Sequence, residues 1–550
     1  MNLTEYLFDR LRERGVSHTF GIPGDFVLPV YAVQEAVGMP TIVCAHEPGV
    51  GFAADTYARR KGLGVALVTY GAGALNLVNA VACAYAEQSP LLVVSGGPEV
   101  FYRRPDVYLH HVVRDFESQL RIFREITVDA AILDDPATAP AAIDRVLRQV
   151  IRRQRPGYLE IPRDRVTAEV VPPSGPLDLE DDPEEAGYFT SALDEALEEM
   201  GRMLSKADRP ALYVGVGVRR HGLTGAVVRL AERLKLPVAT DVLGKASFPE
   251  SHPQFAGVYM GALGDPTARA LLDGSDCVLS LGVVRTDTST GFWTERIDPA
   301  ALISVEAEAV RIRFHRYDNL PIARVVTAMG DRLPPSDRQA PAFSYTPEPP
   351  SPRPGPGLRI AEVISAVVAL DQAEYSFVAD VGDSWFVGLE LRADVFLAPG
   401  FYASMGFAVP GALGAGIADP SRRPFVLVGD GAFQMTGTEL ATLVDQNLRP
   451  IVLLLNNSSY GMLEALDRPH RYYDRRPWDY PAMARALGCP AERAETAAQL
   501  LEALARAKAA EGPYLIEAVV SKEDLSPVMG RIRSLMEATR SARIRPTPMR

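Results

Sequence analysis

Short apolar runs rich in valine, isoleucine and leucine recur along the whole chain, separated by stretches with the period of helices. They lie at residues 64–70, 91–95, 158–161, 211–216, 277–281, 301–305, 375–381, 425–429, 451–455 and 514–520. Runs of this length without regular polar alternation are typical of strands buried on both faces of a parallel sheet. Strands that alternate with helices predict an α/β fold of open, largely parallel sheets flanked by helices.

Two segments break this alternation and divide the chain. Residues 172–185 are rich in proline and acidic side chains, and prolines recur every few residues from 334 to 356, where no helix or strand could persist. A chain of 550 residues also exceeds what one hydrophobic core can support. We therefore predict three domains, each with such a sheet, at residues 1–170, 186–335 and 356–550, the last ending in a tail whose role the pattern leaves open.

Composition limits the classes of partner that the protein is expected to bind. The formal net charge is −12, and affinity for nucleic-acid backbones needs clustered positive charge, so a nucleic-acid partner is excluded. The four cysteines lie far apart without a CxxC pair, which predicts free thiols and a reducing, cytoplasmic location. The N-terminus lacks the pattern of a signal peptide, and no apolar run reaches membrane-spanning length, so we expect no membrane partner.

Two apolar runs in the C-terminal third end in possible metal ligands. Asp430, between two glycines, follows the run at 425–428, and Asn457 follows the run at 451–455. A crossover helix at 438–443 makes these runs neighbouring parallel strands, and open α/β sheets bind ligands at the carboxyl ends of such strands. A carboxylate and a carbamoyl oxygen suit Mg²⁺, and glycine amides suit a phosphate. Either stretch alone is typical of an ordinary turn, but together they indicate a metal held against a diphosphate.

Acidic residues also follow predicted strand ends near the N-terminus. Asp25 follows the turn at residues 21–24, and Glu47 stands before an apolar helix rich in small residues. On local grounds Asp25 is typical of a helix N-cap, and Glu47 is typical of a first-turn glutamate stabilised by the helix dipole. The local pattern therefore leaves structural and chemical roles open for both residues.

The order of these motifs resembles a known family. Gly21-Ile22-Pro23-Gly24, the pair His46-Glu47 and residues 69–76 together resemble the pyrimidine-binding domain of thiamine diphosphate decarboxylases. With the two C-terminal stretches, the resemblance runs over nearly the whole chain, strongly in the first and third predicted domains and weakly in the middle one. It implies a thiamine diphosphate-enzyme architecture, thiamine diphosphate and Mg²⁺ as cofactors, and a homodimer at minimum, usually a homotetramer, in which two subunits share each cofactor.

The resemblance implies roles for the N-terminal residues. Glu47 would hydrogen-bond a ring nitrogen of the cofactor's aminopyrimidine and so activate the cofactor. The pair His110-His111, together with Asp25, is similar to residues of the decarboxylases that release aldehydes, whereas acetohydroxyacid synthases generally lack the pair. Histidine exchanges protons near neutral pH, although a surface pair of histidines is the alternative interpretation. Decarboxylation followed by protonation is therefore preferred over carboligation.

The resemblance also implies a cofactor site in the C-terminal domain. Met405 would wedge between the two cofactor rings, in a stretch expected to open a helix at Ala403, although an ordinary core methionine is the alternative. Asp430, Asn457 and the carbonyl of Ser459 would hold Mg²⁺. The full set of implied cofactor contacts is Glu47, Asp383, Ser384, Ala403, Ser404, Met405, Gly429, Asp430, Gly431, Ala432, Asn457, Ser459, Tyr460, Gly461 and Met462.

One position departs from the pyruvate decarboxylases. The chain resembles them in this segment, but Leu463 stands where they carry a catalytic glutamate. Glu464 is the next residue, and on a helix its side chain would point about 100° away from that of Leu463. Phenylpyruvate decarboxylases of the indolepyruvate group resemble this chain here, and an aspartate matching Asp287 compensates in them. A surface turn is the alternative for Asp287.

We therefore expect non-oxidative decarboxylation of an aromatic 2-oxo acid, phenylpyruvate or indolepyruvate, to the aldehyde and CO₂. The larger apolar share of the pocket wall at Leu463 favours such a substrate over pyruvate. A short-chain 2-oxo acid decarboxylase, a carboligase on the same scaffold and a non-catalytic cofactor-binding homologue are the alternatives.

Overall fold

The computed structural model describes residues 1–179, 183–343 and 357–542. Within these ranges the strands form three sheets that follow one another along the chain, each flanked by helices. This arrangement confirms the predicted α/β fold of open, largely parallel sheets. No helix within these ranges is both long enough and apolar enough to cross a bilayer.

The predicted linkers and tail fall partly outside the described residues. Residues 172–179 and 334–343 of these linkers contain neither helix nor strand. Residues 183–185 were also predicted as linker, but they are the first residues of the helix Pro183–Lys206. Residues 180–182, 344–356 and 543–550 lie outside the described ranges. The domain limits at 1–170, 186–335 and 356–550 therefore stay predictions.

The N-terminal sheet is built from parallel pairings. Its strands are β1 (Thr19–Gly21), β2 (Thr41–Val43), β3 (Gly64–Val68), β4 (Leu91–Gly97), β5 (Asp129–Ile132) and β6 (Gly157–Pro162). The helices around it are α1 (Leu3–Glu13), α2 (Leu28–Ala36), α3 (Glu47–Lys61), α4 (Ala72–Asn76), α5 (Val78–Ala86), α6 (Ser118–Arg124) and α7 (Ala139–Arg153). The spatial order is β2-β1-β3-β4-β6-β5, and each of these pairings is parallel.

The central sheet is mixed at one edge. Its strands are β7 (Pro210–Val214), β8 (Val238–Asp241), β9 (Phe255–Tyr259), β10 (Cys277–Leu281), β11 (Leu302–Val305), β12 (Ala309–Ile312) and β13 (His315–Asp318). Its helices are α8 (Pro183–Lys206), α9 (Val216–Arg220), α10 (Thr224–Leu234), α11 (Pro266–Asp273) and α12 (Ile322–Arg332). The order is β13-β12-β11-β10-β7-β8-β9, with antiparallel pairings only where β12 joins β11 and β13.

The C-terminal sheet is again parallel. Its strands are β14 (Tyr375–Ala379), β15 (Phe396–Leu397), β16 (Arg423–Gly429), β17 (Ile451–Asn456), β18 (Ala491–Ala494) and β19 (Tyr514–Val519). Its helices are α13 (Ile360–Val368), α14 (Asp383–Leu389), α15 (Ala408–Ala418), α16 (Asp430–Thr436), α17 (Glu439–Asp445), α18 (Gly461–Leu466), α19 (Tyr480–Ala486), α20 (Ala497–Ala509) and α21 (Pro527–Ala542). The order β15-β14-β16-β17-β19-β18 repeats that of the N-terminal sheet, which supports a duplication of one ancestral unit.

Helices α3 and α15 pack tightly against each other and join the N-terminal and C-terminal sheets. A Cβ on Gly414 would lie 1.9 Å from the carbonyl oxygen of Ala53, so glycine is needed for this approach. The hydroxyl of Thr56 donates to the carbonyl of Gly411 at 2.9 Å. The two sheets thus share one hydrophobic core, and α3, which begins at Glu47, is held by its own chain's C-terminal half.

Candidate active site

Adjacent strand ends of the C-terminal sheet carry Asp430 and Asn457. Strand β16 ends at Gly429, which pairs with Leu455 of β17, and α16 begins at Asp430. Asp430 is 1% exposed, and its Oδ2 has no hydrogen-bond partner among the described residues. Burial raises the pKa of Asp430 to about 6. Because a buried carboxylate oxygen without a partner is unfavourable, this atom fits a cation ligand.

A cavity of about 310 Å³ opens at this edge of the sheet. Most of the cofactor contacts implied by the sequence line it, namely Asp383, Ser384, Ala403, Met405, Gly429, Asp430, Gly431, Ala432, Asn457, Ser459, Tyr460, Gly461 and Met462. Much of the remaining wall is apolar and comes from Met260, Phe292, Val381, Trp385, Phe386, Leu455, Leu463 and Ile532. A polar end and an apolar end therefore share one cavity.

The polar end fits a diphosphate bound through a metal ion. Asp383 supplies a second buried carboxylate oxygen, Oδ1, without a hydrogen-bond partner in the described chain, and burial raises the pKa of Asp383 to about 6. A Cβ on Gly431 would lie 2.6 Å from the ring of Tyr460, so glycine is needed for the close approach of Tyr460 to this turn. The carbamoyl oxygen of Asn457 accepts from the amide of Ser459 at 3.0 Å, which holds two of the predicted metal ligands together.

The turn at Ala403 differs from the predicted helix. Helix α15 begins at Ala408, and Ala403 has a φ of 58°, in the left-handed region that disfavours residues with a Cβ. The buried carboxylate of Asp380 accepts from the amides of Gly406 and Ala408, at 3.1 and 2.9 Å, and so fixes where the helix starts. The prediction of a helix from Ala403 was wrong, because the side chain of Asp380, 28 residues before Ala408, caps the helix. The turn leaves both Ala403 and Met405 on the cavity wall.

Glu47 belongs to a separate group of residues at the N-terminal sheet. It is the first residue of α3, and its side chain is 19% exposed. Its Oε2 accepts a hydrogen bond from Asn76 at 2.9 Å, and Asn76 also lies 2.8 Å from Nε2 of His46. The helix dipole of α3 favours a negative charge at this position.

Asp25 lies between His110 and His111. Nε2 of His110 is 2.5 Å from Oδ2 of Asp25, and Nδ1 of His111 is 4.0 Å from Oδ1. Partial burial raises the pKa of Asp25, but hydrogen bonds from His110 and from the amide of Phe26 outweigh it and lower the pKa below its ordinary value. The N-cap of α2 is Val27, so Asp25 is not the helix cap that its local sequence suggested. We call Glu47, Asp25, His110 and His111 the N-terminal group.

The N-terminal group and the cavity remain apart within one chain. Among the described residues, none before Met260 lines the cavity. Ser404 is also absent from the wall, and its hydroxyl accepts a hydrogen bond from Asn79 at 2.8 Å. Asp287 is exposed, and its Oδ1 accepts from the amide of Thr288 at 2.8 Å, while Thr288 itself lines the cavity.

Leu463 and Glu464 face different surroundings, as their helical spacing predicts. Leu463 lines the cavity. Glu464 is 8% exposed, and its carboxylate accepts a hydrogen bond from the hydroxyl of Ser459 instead. The cavity wall is therefore apolar at position 463, and the carboxylate of Glu464 is hydrogen-bonded to Ser459, another residue of the cavity wall.

Sequence reasoning missed most of the apolar wall. Trp385 and Phe386 directly follow Asp383 and Ser384, so their position in the chain could have indicated them. Met260, Phe292 and Ile532 come from segments with no chemical motif, and only the folded chain brings them to the cavity.

Three domain models of one enzyme family match this chain. The thiamine pyrophosphate enzyme N-terminal TPP binding domain matches residues 1–119, the central domain matches 197–333, and the C-terminal TPP binding domain matches 380–518. The chain belongs to the thiamine pyrophosphate enzymes. Each match falls within the part of the chain that forms one of the three sheets, so family membership and fold agree.

Three relatives that match this thiamine pyrophosphate enzyme over nearly their full length are named as decarboxylases. It is 40% identical to an indole-3-pyruvate decarboxylase of Azospirillum brasilense, over 96% of this chain and 97% of the relative. It is 32% identical to an alpha-keto-acid decarboxylase of Mycobacterium tuberculosis, over 96% of both chains. It is 31% identical to a probable pyruvate decarboxylase of Schizosaccharomyces pombe, over 95% and 94%. The protein is a thiamine pyrophosphate-dependent 2-oxo acid decarboxylase, a carboxy-lyase.

Proposed function

We propose that this enzyme decarboxylates an aromatic 2-oxo acid, phenylpyruvate or indolepyruvate, to the aldehyde and CO₂. The observation that carries the proposal is the apolar end of the cavity, where Leu463, Trp385 and Phe292 form wall beyond the diphosphate-binding end. Apolar and aromatic walls bind an aromatic side chain by burying its surface. The name of the Azospirillum relative, which specifies indole-3-pyruvate, supports the same substrate class.

We propose that Asp430, Asn457 and the carbonyl of Ser459 hold Mg²⁺, with the amides of Gly431 and Ala432 turned to the diphosphate. The unpartnered oxygen of Asp430 supports this assignment. Thiamine diphosphate, when bound, supplies the electron sink that decarboxylation needs. The chain's own contribution is to orient the cofactor and to exclude water from the cavity.

The N-terminal group is proposed to handle protons. Glu47 would hold a proton at a ring nitrogen of the cofactor through its carboxylate at the start of α3. His110, whose Nε2 lies against Asp25, would deliver a proton to the substrate-derived carbon. Asp287, beside the cavity-lining Thr288, is proposed to take over the role of the carboxylate missing at Leu463.

The separation of the N-terminal group from the cavity supports a homodimer at minimum, with a homotetramer as the expected assembly. The N-terminal group of one subunit would then complete the cavity of its partner, because the two halves of the site lie apart within one chain. All four cysteines are free and buried, which supports a reducing, cytoplasmic location.

A substrate panel tests the aromatic preference. With thiamine diphosphate and Mg²⁺ supplied and aldehyde measured, kcat/KM should be highest for phenylpyruvate or indolepyruvate. Leu463→Glu should lower the aromatic kcat/KM roughly 10- to 100-fold, because it introduces a charge into the apolar wall. Leu501→Glu, at a leucine of similar exposure on α20, should change it less than about twofold.

The same panel separates the alternatives. Highest kcat/KM with pyruvate would replace the aromatic assignment with a short-chain decarboxylase. Formation of a hydroxy-ketone in place of free aldehyde would identify a carboligase.

His110→Asn should lower kcat about 100-fold with a much smaller effect on KM, because the proposed proton donor is lost while the cavity wall is untouched. His315→Asn is the matched control, since His315 also hydrogen-bonds a carboxylate, that of Glu199 at 3.0 Å, on the edge strand β13. Steady-state kinetics of both variants provide the measurement. Equal kcat in the two variants would remove His110 from the mechanism.

A further inference from the structure

A buried carboxylate of the C-terminal half reaches into the segment that carries Glu47. Glu439 is the first residue of α17 and is 1% exposed. Its Oε1 and Oε2 accept from the amide of Ala45 at 3.1 and 3.2 Å, and Oε1 accepts from the amide of His46 at 3.2 Å. The hydroxyl of Thr442 donates to Oε2 at 2.7 Å. The carboxylate of Glu439 thus binds the backbone immediately before Glu47.

Helix α3 receives no capping hydrogen bond from the side chain of its own N-cap residue. His46 occupies the N-cap position, but its side chain makes no capping hydrogen bond, and Pro48 in the first turn has no amide hydrogen. Amide groups at the start of a helix need a partner from elsewhere when the cap residue supplies none. Glu439, nearly 400 residues further along the chain, supplies that partner for the two amides that precede the helix.

The space around this contact allows little adjustment. A Cβ on Gly49 would lie 2.1 Å from Oε1 of Glu439, so the carboxylate occupies the volume that any other residue at position 49 would need. Burial raises the pKa of Glu439, while the hydrogen bonds from Thr442, Ala45 and His46 act in the opposite direction. The carboxylate of Glu439 is therefore buried and makes close hydrogen bonds to backbone amides.

We propose that Glu439 is a positioning residue for the decarboxylation reaction: it fixes the backbone around Glu47 so that the Glu47 carboxylate meets the cofactor in the right place. The inference deepens the proposed function and rests on the role proposed there for Glu47. Glu439 touches neither the cavity nor any cofactor contact on its wall, so it would act only through the segment at 45–47. Displacement of a catalytic group by about 1 Å lowers rates by about 100-fold, which sets the scale of the effect.

Glu439→Gln is the sharpest test, because it keeps the shape of the side chain but turns an amide group toward the amides of Ala45 or His46. We expect kcat with a 2-oxo acid to fall roughly 10- to 100-fold. Deuterium exchange at C2 of bound thiamine diphosphate should slow by a similar factor. The cofactor Kd from fluorescence titration, the KM and the Tm should stay close to those of the parent enzyme, because the variant leaves the cavity wall intact.

Glu362→Gln is the matched control. Glu362 is also buried, 8% exposed, and accepts from a backbone amide, that of Arg359 at 3.0 Å, but at the start of α13. This control should leave both kcat and C2 exchange within about twofold of the parent. Unchanged exchange in Glu439→Gln would overturn the inference. A parallel loss of cofactor affinity and Tm with kcat would also overturn it, since that pattern shows a purely structural residue.

The Glu47→Gln variant separates this inference from the proposed function. Fast C2 exchange in Glu47→Gln would show that the proposed role of Glu47 is wrong. Slow exchange in Glu47→Gln with fast exchange in Glu439→Gln would leave that role standing and remove only the positioning role of Glu439.

Discussion

Replacing Glu47 with glutamine is expected to lower kcat by about 10³- to 10⁴-fold while the protein still binds thiamine diphosphate and Mg²⁺. The reason is that different residues are expected to bind the cofactor and to activate it. The residues fitted to hold the diphosphate and the metal line the C-terminal cavity, whereas Glu47 lies in the N-terminal group. Glutamine keeps the shape of the side chain and its hydrogen bond from Asn76, but it cannot hold a proton as a carboxylate does.

The measurement combines aldehyde formation with a fluorescence titration of cofactor binding. Glu5→Gln is the control, because Glu5 is also a first-turn glutamate, in α1, where it accepts from the amide of Asn2 at 2.8 Å. The control should lose some stability at the helix cap but keep its kcat. Full activity in Glu47→Gln would rule out the proposed activation of the cofactor.

Asp430→Asn is expected to abolish measurable activity by weakening metal and cofactor binding roughly 100-fold or more, because the predicted metal ligands would lose their carboxylate. Removal of divalent ions from the parent enzyme by a chelator should have the same effect, and Mg²⁺ should reverse it. The cofactor-free variant should melt no lower than the cofactor-free parent. A buried carboxylate oxygen without a partner is unfavourable, and the substitution relieves that penalty.

Isothermal titration with Mg²⁺ and thiamine diphosphate, together with Tm values with and without both, measures these effects. Asp241→Asn is the control. Asp241 is also buried with an unpartnered Oδ2 and a pKa raised to about 8 by burial, but it ends β8 in the central sheet. This control should keep the parent's cofactor affinity. Cofactor binding by Asp430→Asn at the parent's affinity would show that another residue holds the metal.

The sequence could predict the parts of this protein that depend on local patterns. Apolar runs marked the buried strands, and the rule that parallel strands present their carboxyl ends at one edge brought Asp430 and Asn457 together. The start of α15 could not be predicted from the neighbouring sequence, because it depends on a hydrogen bond from the amide of Ala408 to the distant carboxylate of Asp380. The contacts of Glu439 with the segment before Glu47 also join residues that no periodicity connects.

The apolar wall of the cavity could likewise be predicted only in part from the sequence. Leu463 could be predicted from its spacing after Asn457, since it lies on the helix that follows the turn with the proposed metal ligands. Met260, on the central part of the chain, and Ile532, on the last described helix, reach the cavity only through packing between sheets. Hydrophobic residues of this kind are indistinguishable from core residues in the sequence, because both serve to exclude water.

The origin of the cavity walls has a consequence for how this enzyme family can diversify. The polar end is built largely from strand ends and the turns that follow them, so changes there are expected to weaken binding of the cofactor. Much of the apolar end comes from remote segments, such as those of Met260, Phe292 and Ile532, which share no backbone with the polar end. Substitutions at these positions can therefore drift toward new 2-oxo acids while the inherited cofactor chemistry stays intact.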